Sequence, residues 1–250
     1  MKQIWKQRLR RVPMLVPTYR HVRFLWRYWR SGSLVKNYLE SHAVRKLQIG
    51  CGGNLLEGWP NTDLDPLAGA AFLDARKTLP FVDRTFDYIF TEHCIEHLKF
   101  SEGIRLLQEC NRVLKPGGTL RIATPNLRFL IELYAENKTA SQERYIRWTV
   151  ETECPELGSS VKRLRSTDGL SLDTLVVNNF FRAWGHQFIY DRKLLAAVLR
   201  SCGFAQIRHC QPGQSEEENL RGLESHGLHI SQEFNTLESM VVEATTAISK

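Results

Sequence analysis

LQIGCGGN, residues 47–54, is the stretch that decides the fold. Leu47 and Ile49 flank Gln48 as in a strand, and Gly50, Gly52 and Gly53 follow within four positions. A buried strand that runs out into glycines lets backbone approach a ligand where any Cβ would collide. Taken alone, such a run also marks ordinary turns. The segments after it decide between the two readings.

NTDLD (61–65) ends in two carboxylates, and AFLDA (71–75) places Asp74 after an apolar triplet. LPF (79–81) leads into FDYIFTEHCIEHL (86–98), a strand with His, Cys and Glu at its C-terminal end. SEGIRLLQECNRVL (101–114) has apolar residues at 104, 107, 110, 113 and 114, which is helical spacing. Ser101 is the expected N-cap, Glu102 suits the first turn, and Lys115-Pro116-Gly117-Gly118 should stop the helix. TLRIAT (119–124) reads as another strand. Alternating strands and helices predict an α/β fold with a doubly wound, mostly parallel sheet. Such sheets bind ligands at the C-terminal strand ends, near the switch in strand order. The glycines, Asp63, Asp74 and Glu92 all fall at such ends.

With these segments in this order, the chain resembles the class I S-adenosylmethionine-dependent methyltransferases, whose fold is a Rossmann-like seven-stranded sheet. LQIGCGGN, NTDLDP, FLDARKTLPFVDRTFDYIFTEHCIEHL and RVLKPGGTLRIATPN carry the resemblance over roughly residues 45–126. DRKLLAAVLRSCGF (191–204) is similar to the family's penultimate helix and following strand, and SMVVEATTA (239–247) to the last strand. The resemblance implies S-adenosyl-L-methionine as cofactor, held by Gly50, Cys51, Gly52, Asn54, Asp63, Asp74, Ala75 and Glu92. Asp63 would accept both ribose hydroxyls, with Asp65 competing for that task, and Asp74 would hold the adenine amino group. Asp87 is expected to be structural. One departure stands out. Most members have a full helix between the first two strands, but LLEGWP, with Gly58 and Pro60, leaves room for one turn only.

Methyl transfer from a sulfonium is an in-line displacement with an excellent leaving group, so catalysis is mostly positioning. A hydroxyl acceptor gains from a base with a pKa near working pH, which favours histidine. His186 in WGHQFIYD, His93 and Glu92 are the catalytic candidates. His97 matches a pair that is often structural in the family. His226 and His229 with Glu224 fit no strong ligand spacing, so no metal is expected. Residues 126–186, rich in Tyr, Trp, Phe and Arg, read as a helical cap over the acceptor site within a domain spanning 41–250. The compact LQIGCGG…NTDLDP form resembles bacterial predicted methyltransferases of surface-polysaccharide type. That points to O-methylation of a sugar or glycan-linked intermediate. A small secondary metabolite as acceptor, and a non-catalytic cofactor-binding interaction module, are the alternatives.

Composition bounds the rest. A chain of 250 residues, 42% hydrophobic, can bury one α/β core with elaborations. No run approaches the ~20 apolar residues of a membrane span, and the basic start lacks the apolar core of a secretory signal. Six cysteines without a CxxC pair suit a reduced, cytoplasmic protein. Residues 1–39 hold ten Lys/Arg and no Asp/Glu, so the formal +7 comes from this arm and the remainder is slightly acidic. An acidic catalytic part argues against nucleic acid as substrate. Within the arm (1–40), Arg20, Arg23, Arg27 and Arg30 share one helical face and Val22, Leu25, Trp26 and Trp29 another. That pattern suits packing over the core as a lid, peripheral contact with the anionic inner membrane face, or an acidic protein or nucleic-acid partner, with a homodimer as a further partner reading for the chain. On the membrane reading, deleting residues 1–33 abolishes flotation with anionic vesicles. Undiminished flotation would reject it.

Overall fold

The structure is a computed structural model, and it describes residues 32–153 and 172–248. The expected basic amphipathic helix of the arm lies outside the described residues, apart from a helix over 32–41 (α1). Seven strands form one sheet in the order β3-β2-β1-β4-β5-β7-β6. The strands are β1 (Lys46–Ile49), β2 (Asn61–Asp63), β3 (Ala71–Phe72), β4 (Phe86–Glu92), β5 (Leu114–Pro125), β6 (Phe204–Cys210) and β7 (Ser239–Thr246). β1 to β5 run parallel, and β7 is antiparallel to both β5 and β6. The order reverses beside β1, between β1 and β4, so the glycine run leaves the sheet at the switch point.

Helix α2 (Phe100–Val113) buries Leu107, Cys110 and Val113 of the face that the spacing predicted, adds Leu106, and leaves Ile104 half-buried. Its start differs from the expectation. Ser101 lies inside the first turn, and Glu102 reaches back to accept the Lys99 N–H at 3.0 Å. Its end differs too: Leu114 already pairs with Phe86, and Lys115–Gly118 bulge out of β5 before Thr119 takes up register with Tyr88. Gly117 has φ +78 in this bulge, where a side chain would be strained. Leu47, Ile49, Phe86, Ile89, Leu120, Ile122 and Val242 fill the main core with the inner face of α2. Asp87 holds Arg45 N and Lys115 Nζ at 2.8 and 2.7 Å, a structural role at the far end of β4 from the site.

A second core lies over the C-terminal strand ends. Helices α3 (Leu127–Leu133), α4 (Ala140–Thr152) and α5 (Asp173–Arg182) contribute Phe129, Leu130, Leu133, Tyr145, Val150, Val176 and Phe180. The helix α6 (Arg192–Ser201), capped by Asp191 onto Leu194 N at 2.7 Å, then returns the chain to β6. Phe234 and Leu237 of α7 (Gln232–Glu238) pack on the same second core, so the cap recruits residues beyond 186.

No helix intervenes between β1 and β2, as Gly58 and Pro60 dictate. Trp59 and Phe90 are covered instead by Leu220, with Leu56, Tyr88 and Leu223 alongside. The segment bearing Leu220 and Leu223 is fixed by a buried cluster of charges. Arg121 of β5, fully enclosed, donates from Nε to Glu224 Oε1 at 2.7 Å and from Nη1 to Glu243 Oε1 at 2.5 Å and Gln214 O at 3.0 Å. Glu224 Oε2 accepts from Gly213 N at 2.9 Å. The described cysteines 51, 94, 110, 202 and 210 are free thiols. Among the described residues, no helix is long and apolar enough to cross a membrane. Arg121→Met leaves two buried carboxylates unpaired and should cost about 3–5 kcal/mol, read by urea unfolding. A loss below about 1 kcal/mol, the scale of an exposed pair, would contradict this packing.

Candidate functional site

Two cavities lie at the C-terminal ends of β1, β2 and β4 and share His93 and His97 as lining residues. The first, of about 340 Å³, is lined by Gly50, Gly52, Asp63, Asp74, Ala75 and Cys94 among others. Its volume falls in the ordinary range for small-molecule sites. The second, of about 320 Å³, lies under the cap and is walled by Tyr145, Trp148, Trp184, His186, His226 and Glu238 among others.

The first cavity is built by main-chain hydrogen bonds between strand ends. Gly50 N and Cys51 N both donate to Thr62 O, at 2.8 and 2.9 Å. The Asp63 carboxylate accepts Gly52 N on one oxygen and Asp65 N on the other, each at 2.9 Å. Both loops are thereby locked to one side chain. Gly50 (φ +71) could not carry a Cβ, which would stand 2.6 Å from Cys94 Sγ. Gly52 (φ +50) is different, because a Cβ there meets no protein atom within 4 Å. Gly52 lines the cavity, and no protein atom fills the space beside it. Asp74 is gripped in a fork by Arg76, Nε at 2.8 Å and Nη2 at 2.9 Å, and that hydrogen bonding holds its carboxyl below the usual range. Cys94 is a buried thiol pushed up to about 12 by burial, which removes it as a nucleophile.

The wall between the cavities is a buried polar network. Glu96, wholly enclosed, accepts from Thr124 Oγ1 at 3.0 Å and pairs with His93 Nδ1 at 3.0 Å. Its carbonyl oxygen accepts Gln187 N at 2.7 Å and Phe188 N at 3.1 Å, which ties the cap's return to the end of β4. Burial alone favours a neutral His93, but the Glu96 hydrogen bond and charge, aided by Glu238 and Glu92, outweigh it and raise its pKa. Burial likewise works against the Glu96 carboxylate, and His93 outweighs it in turn, so that pKa falls. The pair therefore stabilises the fold between two titrations. Its contribution is lost as pH rises through the raised histidine pKa, and again as pH falls through the lowered carboxylate pKa. His186 differs. Burial lowers its pKa, only partly offset by the hydrogen bond with Phe180 O, which its Nδ1 makes at 2.6 Å. That bond leaves Nε2 as the acceptor. Its ring stands 5.0 Å from that of His97.

Of the residues anticipated as cofactor-binding, the fold brings Gly50, Gly52, Asp63, Asp74 and Ala75 to one cavity. Asp63, and not Asp65, lines it. Three expectations are corrected. Asn54 turns away, its Nδ2 donating to Leu223 O at 3.3 Å. Cys51 is buried beneath the loop, with Sγ on Gly52 O at 3.7 Å. Glu92 is engaged by Ser225 N and Oγ and by His226 N, at 3.0 to 3.1 Å, so its side chain anchors that segment and is directed there and not to the first cavity. Among the catalytic candidates, His93 sits on the shared wall and His186 in the second cavity. Sequence reasoning placed Tyr145 in the cap but missed Glu238, and it grouped His226 with the wrong carboxylate, since Glu224 belongs to Arg121.

Residues 47–122, from β1 to β5, match the family model described as "Methyltransferase domain". Malonyl-[acyl-carrier protein] O-methyltransferase 1 of Coxiella burnetii is 36% identical over 90 residues, which is 36% of this chain and 30% of that protein. The matched region thus spans less than a third of that curated relative. Among solved structures, an S-adenosylmethionine-dependent methyltransferase from Archaeoglobus fulgidus is 18% identical over 98% of this chain and 99% of its own, with a TM-score of 0.46. Another from Mesorhizobium loti is 14% identical over 82% and 92%, with a TM-score of 0.47. In the first cavity, Gly52→Ala should keep the fold, at a strain of about 1–2 kcal/mol for the left-handed backbone, and lose cofactor affinity. Gly50→Ala should destabilise the protein itself. Calorimetry and thermal melting separate the two, and wild-type affinity in Gly52→Ala would contradict the assignment.

Proposed function

Residues 47–122 form a methyltransferase domain of the class I S-adenosylmethionine-dependent kind, and from that premise we propose that the whole chain methylates a hydroxyl group held in the second cavity. The observation that carries this reading is the sharing of His93 and His97 by both cavities. A donor seated over Gly52 and an acceptor seated under the cap would meet at that wall.

The residues present fit the cofactor. Gly52 leaves the space beside it clear, Asp63 offers a carboxylate to two vicinal hydroxyls, and Asp74 and Ala75 lie at the neighbouring strand end for an adenine ring. When bound, S-adenosylmethionine supplies an electrophilic methyl group on a sulfur that leaves as a neutral thioether. The chain's own work is then to orient and to move one proton. His186 Nδ1 donates to Phe180 O and burial lowers its pKa, so the ring is neutral with Nε2 as a proton acceptor. It is the base in this reading, with Glu96 holding the wall in place. The finer proposal is that the acceptor is a sugar or glycan-linked hydroxyl. Trp148, Trp184 and Phe180 supply flat apolar faces beside His229 and Glu153, a mixture suited to a ring with polar edges. The basic arm would then hold the chain near a lipid-linked acceptor at the inner membrane face.

The test is transfer of labelled methyl to a panel of sugar hydroxyls, alongside calorimetry with S-adenosylmethionine. His186→Ala should lose about a hundredfold in turnover, the low end for a general base, with cofactor affinity retained. Because its pKa is lowered, the acid limb of turnover in the wild type should lie below the 6.5 of an ordinary histidine. Unchanged turnover in the variant, or cofactor binding without transfer to any acceptor, would sink the reading.

A further inference from the structure

Three side chains from separate parts of the chain converge on one wall of the second cavity. His93 directly follows β4 with φ +46, His226 opens a short turn at His226–Leu228, and Glu238 closes α7. One ligand atom from each lies within 4.8 Å of the others. The two imidazole rings are 4.0 Å apart, and His226 Nε2 is 2.7 Å from Glu238 Oε1. All three line the cavity.

A second observation concerns what stands behind them. His93 Nδ1 is engaged by the buried Glu96, which leaves Nε2 directed at the group, with Ser239 Oγ at 3.4 Å. The Tyr145 hydroxyl donates to the other oxygen of Glu238. The main-chain N–H of His226 is held by Glu92. A carboxylate behind an imidazole is the arrangement that fixes tautomer and direction in metal-bound histidines. Here it is combined with two nitrogens and one oxygen, the donor set that suits zinc and its neighbours.

We propose that His93, His226 and Glu238 bind one divalent transition-metal ion of the zinc class, with a coordination position open to the second cavity. The fit needs two adjustments: the 2.7 Å contact of His226 and Glu238 would widen to about 3.3 Å, and the His93 and His226 rings, now 4.0 Å apart, would part to about 5 Å, as a tetrahedron with bonds of about 2.0–2.1 Å requires. The open position takes an oxygen ligand, and its role rests on the reading of this cavity as the acceptor's. There the ion would hold the acceptor hydroxyl and acidify it. The O–H bond breaks, its electron pair stays on oxygen, and the proton passes to His186 Nε2.

The experiment is titration of the untagged, metal-free full chain with Co²⁺, followed by visible absorption and calorimetry, with S-adenosylmethionine binding measured in parallel. The expected result is one Co²⁺ per chain, displaced by Zn²⁺. His226→Ala and the near-isosteric Glu238→Gln should each weaken it at least tenfold, and Glu96→Gln about 10–100-fold. Cys210→Ser and His186→Ala should leave it unchanged; the latter controls for the neighbouring trio of Glu96, His97 and His186. Retained cofactor binding shows that a variant is folded. Absence of saturable binding, binding that survives both His226→Ala and Glu238→Gln, or loss confined to His186→Ala would overturn the proposal. A wild type that binds S-adenosylmethionine and not Co²⁺ rejects the metal alone. One that binds Co²⁺ and not S-adenosylmethionine rejects the functional reading alone.

Discussion

The guanidinium of Arg121, enclosed between Glu224 and Glu243, sets where the C-terminal third of the chain can lie. Burying three charges is expensive, and an apolar trio of the same shape could be as stable. What the charges supply is position. Arg121 is on β5 and Glu243 is its partner in register on β7, so the strands hold the first pair without help. Glu224 is on an irregular segment, and its side chain supplies the buried charge contact of that segment with the sheet, beside the packing of Leu220 on Phe90. The next two residues, Ser225 and His226, are then caught by Glu92 at the end of β4. Two carboxylates, one from the segment and one from the sheet, thus deliver His226 to within ring contact of His93.

Glu96 performs the corresponding task for the cap. Its side chain joins β4 to β5 through His93 and Thr124, and its carbonyl oxygen holds the backbone at Gln187 and Phe188. His186 is one residue upstream of that anchor, so the proposed base and the wall between the two cavities are positioned by the same residue. The second core, with Tyr145 on the acidic side chain of Glu238, closes the cavity from above. Burial and the Glu238 charge push the Tyr145 phenol well up, so it remains a donor to that carboxylate.

The fold was legible because its signals are local. Parallel strands end at one edge, so a glycine run, Asp63 and Asp74 at three successive strand ends meet without any knowledge of side-chain direction. Gly58 and Pro60 likewise announced the missing helix after β1. What took its place was hidden, because Leu220 and Leu223 reach Trp59 and Phe90 from a distant part of the chain. The same limit explains the corrections. A strand end tells where backbone goes, and Glu92 and Asn54 were placed at the right edge. Their side chains were claimed by residues 133 and 169 positions away. His226 and Glu238 joined the site through folding alone, and no local spacing linked them to His93.

The central claim is that a donor over Gly52 and an acceptor under the cap meet at His93. A crystal structure with bound S-adenosylhomocysteine tests it most directly. The account predicts ribose hydroxyls on the Asp63 carboxylate and the sulfur at the shared wall, facing the cavity of His186 and His226. A sulfur directed away from that cavity, or a ribose held elsewhere than on Asp63, would contradict it.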